Sequence, residues 1–312
     1  MEAGVPASIP EALTSGVRFA RVPRSGIYEA LAKRGARPLN ADGYNGNMSL
    51  KTHIRERNSQ LFLLNDNLRA IAKEIIELNP PINTLKDAIV AFILAKSFKT
   101  HGVIMSLSQN GFSEDADMLA RTLFDAYLII ASVLKDDSDD TANQYIRFDD
   151  EIRTKMYGTL KSTDSFKEYF EERRNNPKPS DESVEEIQSR AEEWKKLYSN
   201  NFWNKWHHDK SLGKLATELD MHHYYETAYQ LQTQLSHSFP RVMDKYLIPN
   251  KDNYKMQTTP TDKFIDLTLV STFNIFVFIV MRCDEHFDNK HRSKIEQLFV
   301  ELREATRSIN RD

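Results

Sequence analysis

The stretch Leu61–Pro81, "LFLLNDNLRAIAKEIIELNPP", decides the fold class. Its apolar residues recur every three or four positions, a spacing that places them on one face of an α-helix. The closing Asn79–Pro81 triplet ends the helix, because proline lacks the amide hydrogen that a continuing helix needs. The apolar positions are Leu61, Leu64, Leu68, Ile71, Ile75 and Leu78. The stretch therefore predicts an amphipathic helix that buries one face.

The segments that follow repeat the helical pattern. A second helix is predicted over Thr84–Gln109, with a left-handed cap at Asn110–Gly111, and a third begins at Ser113. Two charged helices are predicted at 142–160 and 182–198, on either side of the loop Arg173–Ser183. Since no alternating strand pattern reaches a convincing length, the sequence predicts an all-α fold, a multi-helix bundle.

The most apolar stretch is "FIDLTLVSTFNIFVFIVM", at Phe264–Met281. A membrane span needs about 18–20 cleanly apolar residues. Here the run is interrupted by Asp266, Ser271, Thr272 and Asn274. We therefore expect a central helix that is buried on most sides, and no membrane partner.

Composition narrows the class of protein. The net charge is −3, with 42 Lys and Arg against 45 Asp and Glu, so the whole chain has no basic surface for nucleic acid. The one cysteine, Cys283, rules out an intrachain disulfide and lies in an apolar segment, where a packed thiol is expected. Without a recognisable signal peptide, these features predict a cytoplasmic protein.

Residues 1–47 differ from the rest of the chain. They contain six of the ten glycines, four of the eleven prolines and five arginines against one lysine. This composition predicts a poorly ordered or accessory N-terminal arm beside an α-helical domain at 48–312. Residues 9–40 also resemble the helix-turn-helix of small excisionase-like DNA binders, with "PRSGIYEALAKRG" (23–35) as the turn plus the recognition helix. Alternatively, Met48 is the natural start.

The usual signatures of metal and nucleotide sites are missing. Adjacent pairs such as His207–His208 and His222–His223 point about 100° apart on a helix and chelate poorly. Glu218 and His222 share a face, but the remaining ligands of a di-iron bundle are absent. The polar run Asp284–His291 lies at a helix end, where such residues are usually solvated. The sequence also lacks a glycine-rich phosphate loop, so we expect no metal and no cofactor.

Two groups of polar residues on helices remain as a candidate site. Arg121 and Asp125 are four positions apart on an otherwise apolar helix, where they can form an ion pair. In "YETAYQLQTQLSHSFPRVMDKY" (Tyr225–Tyr246), Tyr225, Tyr229, Gln232 and Ser236 follow one helix face, and His237 lies beside them. A histidine near a helix end can carry a proton or bind an anion.

These residues resemble a bacterial family, number five-six-seven-seven in the series of domains of unknown function. The resemblance covers roughly 60–285, from "AKSFKTHGVIMSLSQNGFSEDADMLARTLFDAYLIIASVL" through "WNKWHHDKSLGKLATELDMHHYYETAYQLQTQLSHSFP". It implies an all-α fold and a shared polar site, without an established activity. Relatives commonly carry glycine after the histidine, where this chain has Ser238. The matching positions are Arg121, Asp125, Trp206, Tyr225, Tyr229, Ser236 and His237.

The chain is also similar in kind to the helical ribonucleases of bacterial toxin and phage-defence systems. On one helix, those enzymes carry an arginine and a histidine that are separated by four to six residues. Here Arg282 and His286 are separated by only three residues, so the signature itself is absent. One hypothesis is a toxin-like defence or stress-response protein that cleaves RNA without metal. His237 would act as acid and base, and Arg121 would stabilise the phosphorane charge.

Two other classes of function remain open, and whether the protein is an enzyme stays undecided. The first is a non-catalytic interaction or ligand-sensing module, which binds a small anion, a protein partner or a second copy of the chain. Aromatic residues at Phe202, Trp203 and Trp206 are candidates for such a contact. The second is a DNA-binding regulator that acts through residues 1–47.

Overall fold

A computed structural model describes residues 49–163, 167–168, 171–172, 175, 182–197, 206–207, 210–250 and 253–309. The predicted N-terminal arm, with its resemblance to DNA binders, and Met48 lie outside these residues. So do Phe202 and Trp203, and most of the loop Arg173–Ser183.

The described chain is built almost entirely of helices, which confirms the predicted all-α class. The first six are α1 (Leu50–Arg57), α2 (Ser59–Glu77), α3 (Leu85–Gln109), α4 (Ser113–Lys135), α5 (Asp140–Lys161) and α6 (Val184–Leu197). They are followed by α7 (Leu212–Glu218), α8 (His222–Tyr224), a π-helical turn (Tyr225–Tyr229), α9 (Gln230–Ser236), a 3₁₀ turn (Pro240–Val242) and α10 (Met243–Tyr246). The chain ends with β1 (Leu247–Asn250), β2 (Asn253–Met256), α11 (Ile265–His286) and α12 (Arg292–Ile309).

Helix α11 is the central helix that its apolar sequence predicts. It packs against α2, α3, α4 and α12, and Phe273 and Phe276 on it are fully buried. Cys283 is buried in the same helix, as predicted, and burial raises the pKa of its thiol. By length and composition alone, α3 and α11 could each cross a membrane, but 67% of the apolar window of α11 is buried inside the protein.

Local sequence signals set the ends of α3. Thr84 caps its start by accepting a hydrogen bond from the Asp87 amide, while the Asp87 carboxylate accepts one from the Thr84 amide, which is a capping box. Gly111 closes its end with a φ of 85°, the left-handed conformation that glycine adopts at low cost. The predicted second helix and its cap are therefore confirmed.

A short antiparallel hairpin was not predicted from the sequence. β1 and β2 pair Leu247 with Met256 and Asn250 with Asn253. Each strand has four residues, and β2 is exposed along its whole length. No alternation of buried and exposed residues therefore marks the hairpin in the sequence.

The expectation that the run Asp284–His291 is solvated is wrong at its two ends. Asp284 and His291 are buried, and the His291 ring nitrogens lie 2.9 Å from an Asp284 oxygen and 3.0 Å from a Glu74 oxygen. Asp284 also accepts the backbone amide of His291. Because these polar groups are hydrogen-bonded to one another, the cluster can hold α11 and the start of α12 against α2.

Candidate functional site

A cleft of about 540 Å³ lies on one side of the bundle. Its walls come from α4, α5, the residues before α7, and the start of the π-helical turn. Leu128, Leu212 and several aromatic rings make it mostly apolar, and Asp125 adds a carboxylate to its described lining. The described lining residues are Asp125, Leu128, Phe148, Trp206, His207, Leu212 and Tyr225. Its size and its combination of apolar walls with few polar groups are those of a small-molecule site.

The π-helical turn positions two of the predicted tyrosines. π-Helical turns widen a helix by one residue and are frequent at functional sites. The Tyr225 and Tyr229 rings stack with centroids 5.3 Å apart and an interplanar angle of 22°. Gly213 makes room for this pair, because a Cβ there would lie 2.9 Å from a Tyr225 ring carbon. Tyr225 lines the cleft, whereas Tyr229 is buried next to it.

Arg121 contacts Tyr229 in two ways. Its Nη2 donates a long hydrogen bond of 3.4 Å to the tyrosine hydroxyl, and its guanidinium carbon lies 5.3 Å from the centre of the ring. Its Nε is buried without a hydrogen-bond partner in the described part of the chain. Arg121 therefore anchors the π-helical turn to α4 and does not line the cleft.

Asp125 is held in a partly desolvated position. Burial raises the pKa of its carboxyl above the ordinary value, and the nearby Arg121 charge and Tyr229 hydroxyl offset part of that rise. Burial and the Asp125 charge together raise the pKa of Tyr229. Among the described residues, Asp125 takes part in no direct ion pair, so the pairing with Arg121 that their spacing permits is replaced by a shared contact with Tyr229.

Trp206 and His207 also line the cleft. The Trp206 ring meets the Tyr145 ring edge-on at 5.8 Å and the His207 ring edge-on at 5.3 Å. His207 is largely buried. Trp206, predicted as a binding residue, thus reaches the same cleft as Asp125 and Tyr225, although it lies 81 positions from Asp125 in the sequence.

The remaining residues of the predicted stripe point elsewhere. Gln232 is buried and donates a hydrogen bond of 3.0 Å from its amide nitrogen to the Ser271 hydroxyl of α11. The Ser236 hydroxyl donates to the Gln232 carbonyl at 2.9 Å, a bond within its own helix. The stripe is thus divided: Tyr229 contacts α4, and Gln232 contacts the central helix α11.

His237 lies at the C-terminal cap of α9 and is exposed. It is eight residues beyond Tyr229, a rise of roughly 12 Å along a helix axis. Its ring lies near Phe239, with centroids 6.1 Å apart. Within the described residues, no hydrogen bond or ring contact joins His237 to Arg121. The structure therefore groups Arg121, Asp125, Tyr225, Tyr229 and Trp206, and leaves Ser236 and His237 outside that group.

Other histidines and acids are engaged locally. His286 lies 2.7 Å from an Asp87 carboxylate oxygen, Glu218 pairs with Lys210 at 2.6 Å, and the His222 ring lies 3.2 Å from the Thr217 hydroxyl. His208 is outside the described residues. Throughout the described ranges, no group of three or more His, Cys, Asp or Glu side chains could hold a metal ion.

Sequence reasoning missed part of the cleft. Phe148 lies among charged residues of α5, Leu212 reads as an ordinary apolar position, and His207 was considered only as half of a metal-binding pair. No spacing rule links these positions, because they lie on separate segments that meet only in the folded chain.

Comparison with known proteins adds one relationship. No curated protein and no solved structure matches the chain. A family model described as a family of unknown function, DUF5677, matches residues 87–255, which is more than half of the chain and includes every residue of the candidate site. The resemblance noted in the sequence is thereby confirmed, and the chain belongs to the DUF5677 family.

Proposed function

We propose that this protein is a ligand-binding module that holds a small organic molecule in the cleft between α4, α5 and Tyr225. One observation carries the proposal: the cleft of about 540 Å³ combines apolar and aromatic walls with a carboxylate. Pockets that bind small molecules are typically about 300–1,000 Å³ and present few polar groups on apolar walls.

The position of the cleft suggests how ligand binding could be sensed. Tyr225 lines it, and Tyr229, stacked on Tyr225, contacts Arg121 of α4. A ligand that packs against Tyr225 would therefore also shift Tyr229, and with it the Arg121–Tyr229 contact that joins the π-helical turn to α4. A module of this kind needs no catalytic group.

RNA cleavage by Arg121 and His237 has less geometric support. A proton-transferring histidine must lie within hydrogen-bond reach of its substrate atom while the arginine faces the same phosphate. Here His237 is exposed at the end of α9. The Arg121 guanidinium donates its hydrogen bond to Tyr229, which lies about two helical turns before His237. The ribonuclease function, and the setting in bacterial defence or stress response, stay predictions that rest on similarity to helical toxins.

The proposal is tested by a ligand-observed NMR screen of the full chain against small fragments that are cationic, anionic and neutral. Leu212→Trp places a large ring in the cleft wall. Leu63→Trp makes the same change at an exposed position of α2, where 57% of the side chain is accessible. We expect fragments that bind the natural chain and Leu63→Trp but lose binding to Leu212→Trp. If every fragment that binds is unaffected by Leu212→Trp, or none binds, the proposal is wrong.

A further inference from the structure

Three aromatic rings and one carboxylate meet in the cleft. Phe148 comes from α5, Trp206 from the segment before α7, Tyr225 from the π-helical turn and Asp125 from α4. We propose that the ligand is a small organic cation, an alkylated ammonium group on a short apolar chain. The inference rests on the proposed function and names the chemical class of its ligand.

Aromatic rings favour cations for an electrostatic reason. The face of each ring carries partial negative charge and attracts an ammonium group within about 6 Å of the ring centre, most strongly when water is excluded. Alkylated ammonium groups are weakly hydrated for their size, so aromatic side chains can replace their water. Phe148, Trp206 and Tyr225 supply three such rings at one cleft.

Asp125 sets the sign of the ligand's charge. Among the described lining residues it is the only acidic side chain, and none of them is a lysine or an arginine. Its carboxyl is partly desolvated, since burial raises its pKa, and the nearest cation, Arg121, donates instead to Tyr229. A bound cation would add a direct ion-pair partner to the Arg121 and Lys96 charges that already act on Asp125, whereas an anion would meet repulsion from the carboxylate. The charge of this cleft therefore favours a cation over the small anionic ligand that the sequence left as one alternative.

Three probes of nearly equal shape separate charge from size. Choline is the cation, 3,3-dimethyl-1-butanol is its neutral analogue, and 3,3-dimethylbutyrate is an anionic one. Replacing Trp194 and Trp203 by phenylalanine leaves Trp206 as the only tryptophan of the full chain, so its fluorescence reports binding in the cleft. Calorimetry on the unaltered chain gives the affinities.

We expect choline to bind about tenfold more tightly than the neutral analogue, the ratio that corresponds to about 1.4 kcal/mol of cation–π and carboxylate attraction. Asp125→Asn keeps the shape but removes the charge, and should lower that ratio to the part that the three rings contribute. Asp66→Asn, at an exposed position of α2, should leave it unchanged. A shift of the thermal melt by choline provides a second measurement that does not depend on tryptophan.

The two proposals fail in different ways. If the neutral analogue binds as tightly as choline and changes Trp206 fluorescence, the cleft is a ligand site but the cation inference is wrong. Tighter binding of 3,3-dimethylbutyrate, or a choline preference that Asp125→Asn leaves undiminished, also overturns it. If none of the three probes binds, the cation inference is overturned, and the NMR screen with Leu212→Trp decides the proposed function by itself.

Discussion

The Arg121 guanidinium of α4 reaches the Tyr229 hydroxyl of the π-helical turn, with 3.4 Å between Nη2 and Oη. The two residues are 108 positions apart in the sequence. Their contact joins a core helix to the segment that presents Tyr225 to the cleft. It also places Arg121 near Asp125. The proposed binding of an organic cation depends on the negative charge of Asp125.

Tyr229→Phe should destabilise the protein by about 1–2 kcal/mol, because the partly buried guanidinium loses its hydrogen-bond acceptor. Urea unfolding at pH 7 measures the change. Tyr225→Phe removes one hydroxyl from the ring stacked on Tyr229 and serves as the matched control. Equal unfolding midpoints for Tyr229→Phe and the natural chain would show that the Arg121 contact adds no stability.

Ser238→Gly should stabilise the protein by about 1 kcal/mol. Ser238 has a φ of 52°, in the left-handed region that costs residues with a Cβ about 1–2 kcal/mol and costs glycine little. Thermal melting compares the variant with Ser236→Gly. Ser236 is the last residue of α9, and its change to glycine should destabilise, because it removes the hydrogen bond from the Ser236 hydroxyl to the Gln232 carbonyl.

Asp117→Asn should stabilise the protein at pH 7. Asp117 on α4 is 3% exposed, and burial raises its pKa to about 6; Lys245, Thr268 and Glu114 are the groups that act on it. Since the unfolded chain ionises this group near 3.8, ionisation disfavours the fold progressively as the pH rises from about 4 to 6. The cost at pH 7 is on the order of 3 kcal/mol, from a rise of about two pKa units.

Unfolding of Asp117→Asn and the natural chain at pH 4 and pH 7 checks the sign. The gain should be large at pH 7 and below about 1 kcal/mol at pH 4, where the folded carboxyl is protonated and the unfolded carboxyl is only about half ionised. Asp115→Asn, exposed on the same helix, is the control. A gain that is equal at the two pH values would contradict a raised pKa.

His101 should make the protein sensitive to mild acid. It is fully buried between Asn65, 3.0 Å from its Nε2, and the ring of Phe276, and burial with the Arg69 charge lowers its pKa to about 3. Below pH 6.5 the unfolded chain binds a proton that the folded protein does not. Stability should therefore fall by about 2 kcal/mol from this group between pH 7 and pH 5.

His101→Gln removes the titrating ring but keeps a polar side chain opposite Asn65. The variant is expected to be less stable at pH 7, because it loses the stacking on Phe276, yet to lose less stability between pH 7 and pH 5 than the natural chain does. Guanidinium unfolding at the two pH values measures both changes. An acid response identical to that of the natural chain would mean that His101 does not cause it.

His237→Ala should change neither the thermal melt nor ligand binding in the cleft, because the ring is exposed and lies beyond the site. Arg121→Ala should lower the melt by several degrees, since it removes the contact with Tyr229. RNA integrity in cells that overproduce each variant tests the ribonuclease hypothesis separately. Cleavage by the natural chain that is lost in both variants, with His237→Ala still fully folded, would favour catalysis over ligand binding.

The sequence by itself determined the helical class and many helix ends. Apolar spacing marked α2, the Thr84 capping box and Gly111 bounded α3, and the composition of Phe264–Met281 identified the central helix. These features depend on contacts between residues a few positions apart, which a linear pattern records. The sequence also identified Arg121, Asp125, Tyr225, Tyr229 and Trp206 as candidates, through the resemblance and through their polar character on apolar helices.

Only the tertiary structure decided which of these residues meet. Asp125, Phe148, Trp206 and Tyr225 lie on four segments, and the cleft exists because the helices bring them together. The π-helical turn and the division of the stripe between α4 and α11 follow from packing as well. Long-range contacts leave no periodic trace in the sequence, since each depends on the relative placement of whole helices rather than on local spacing.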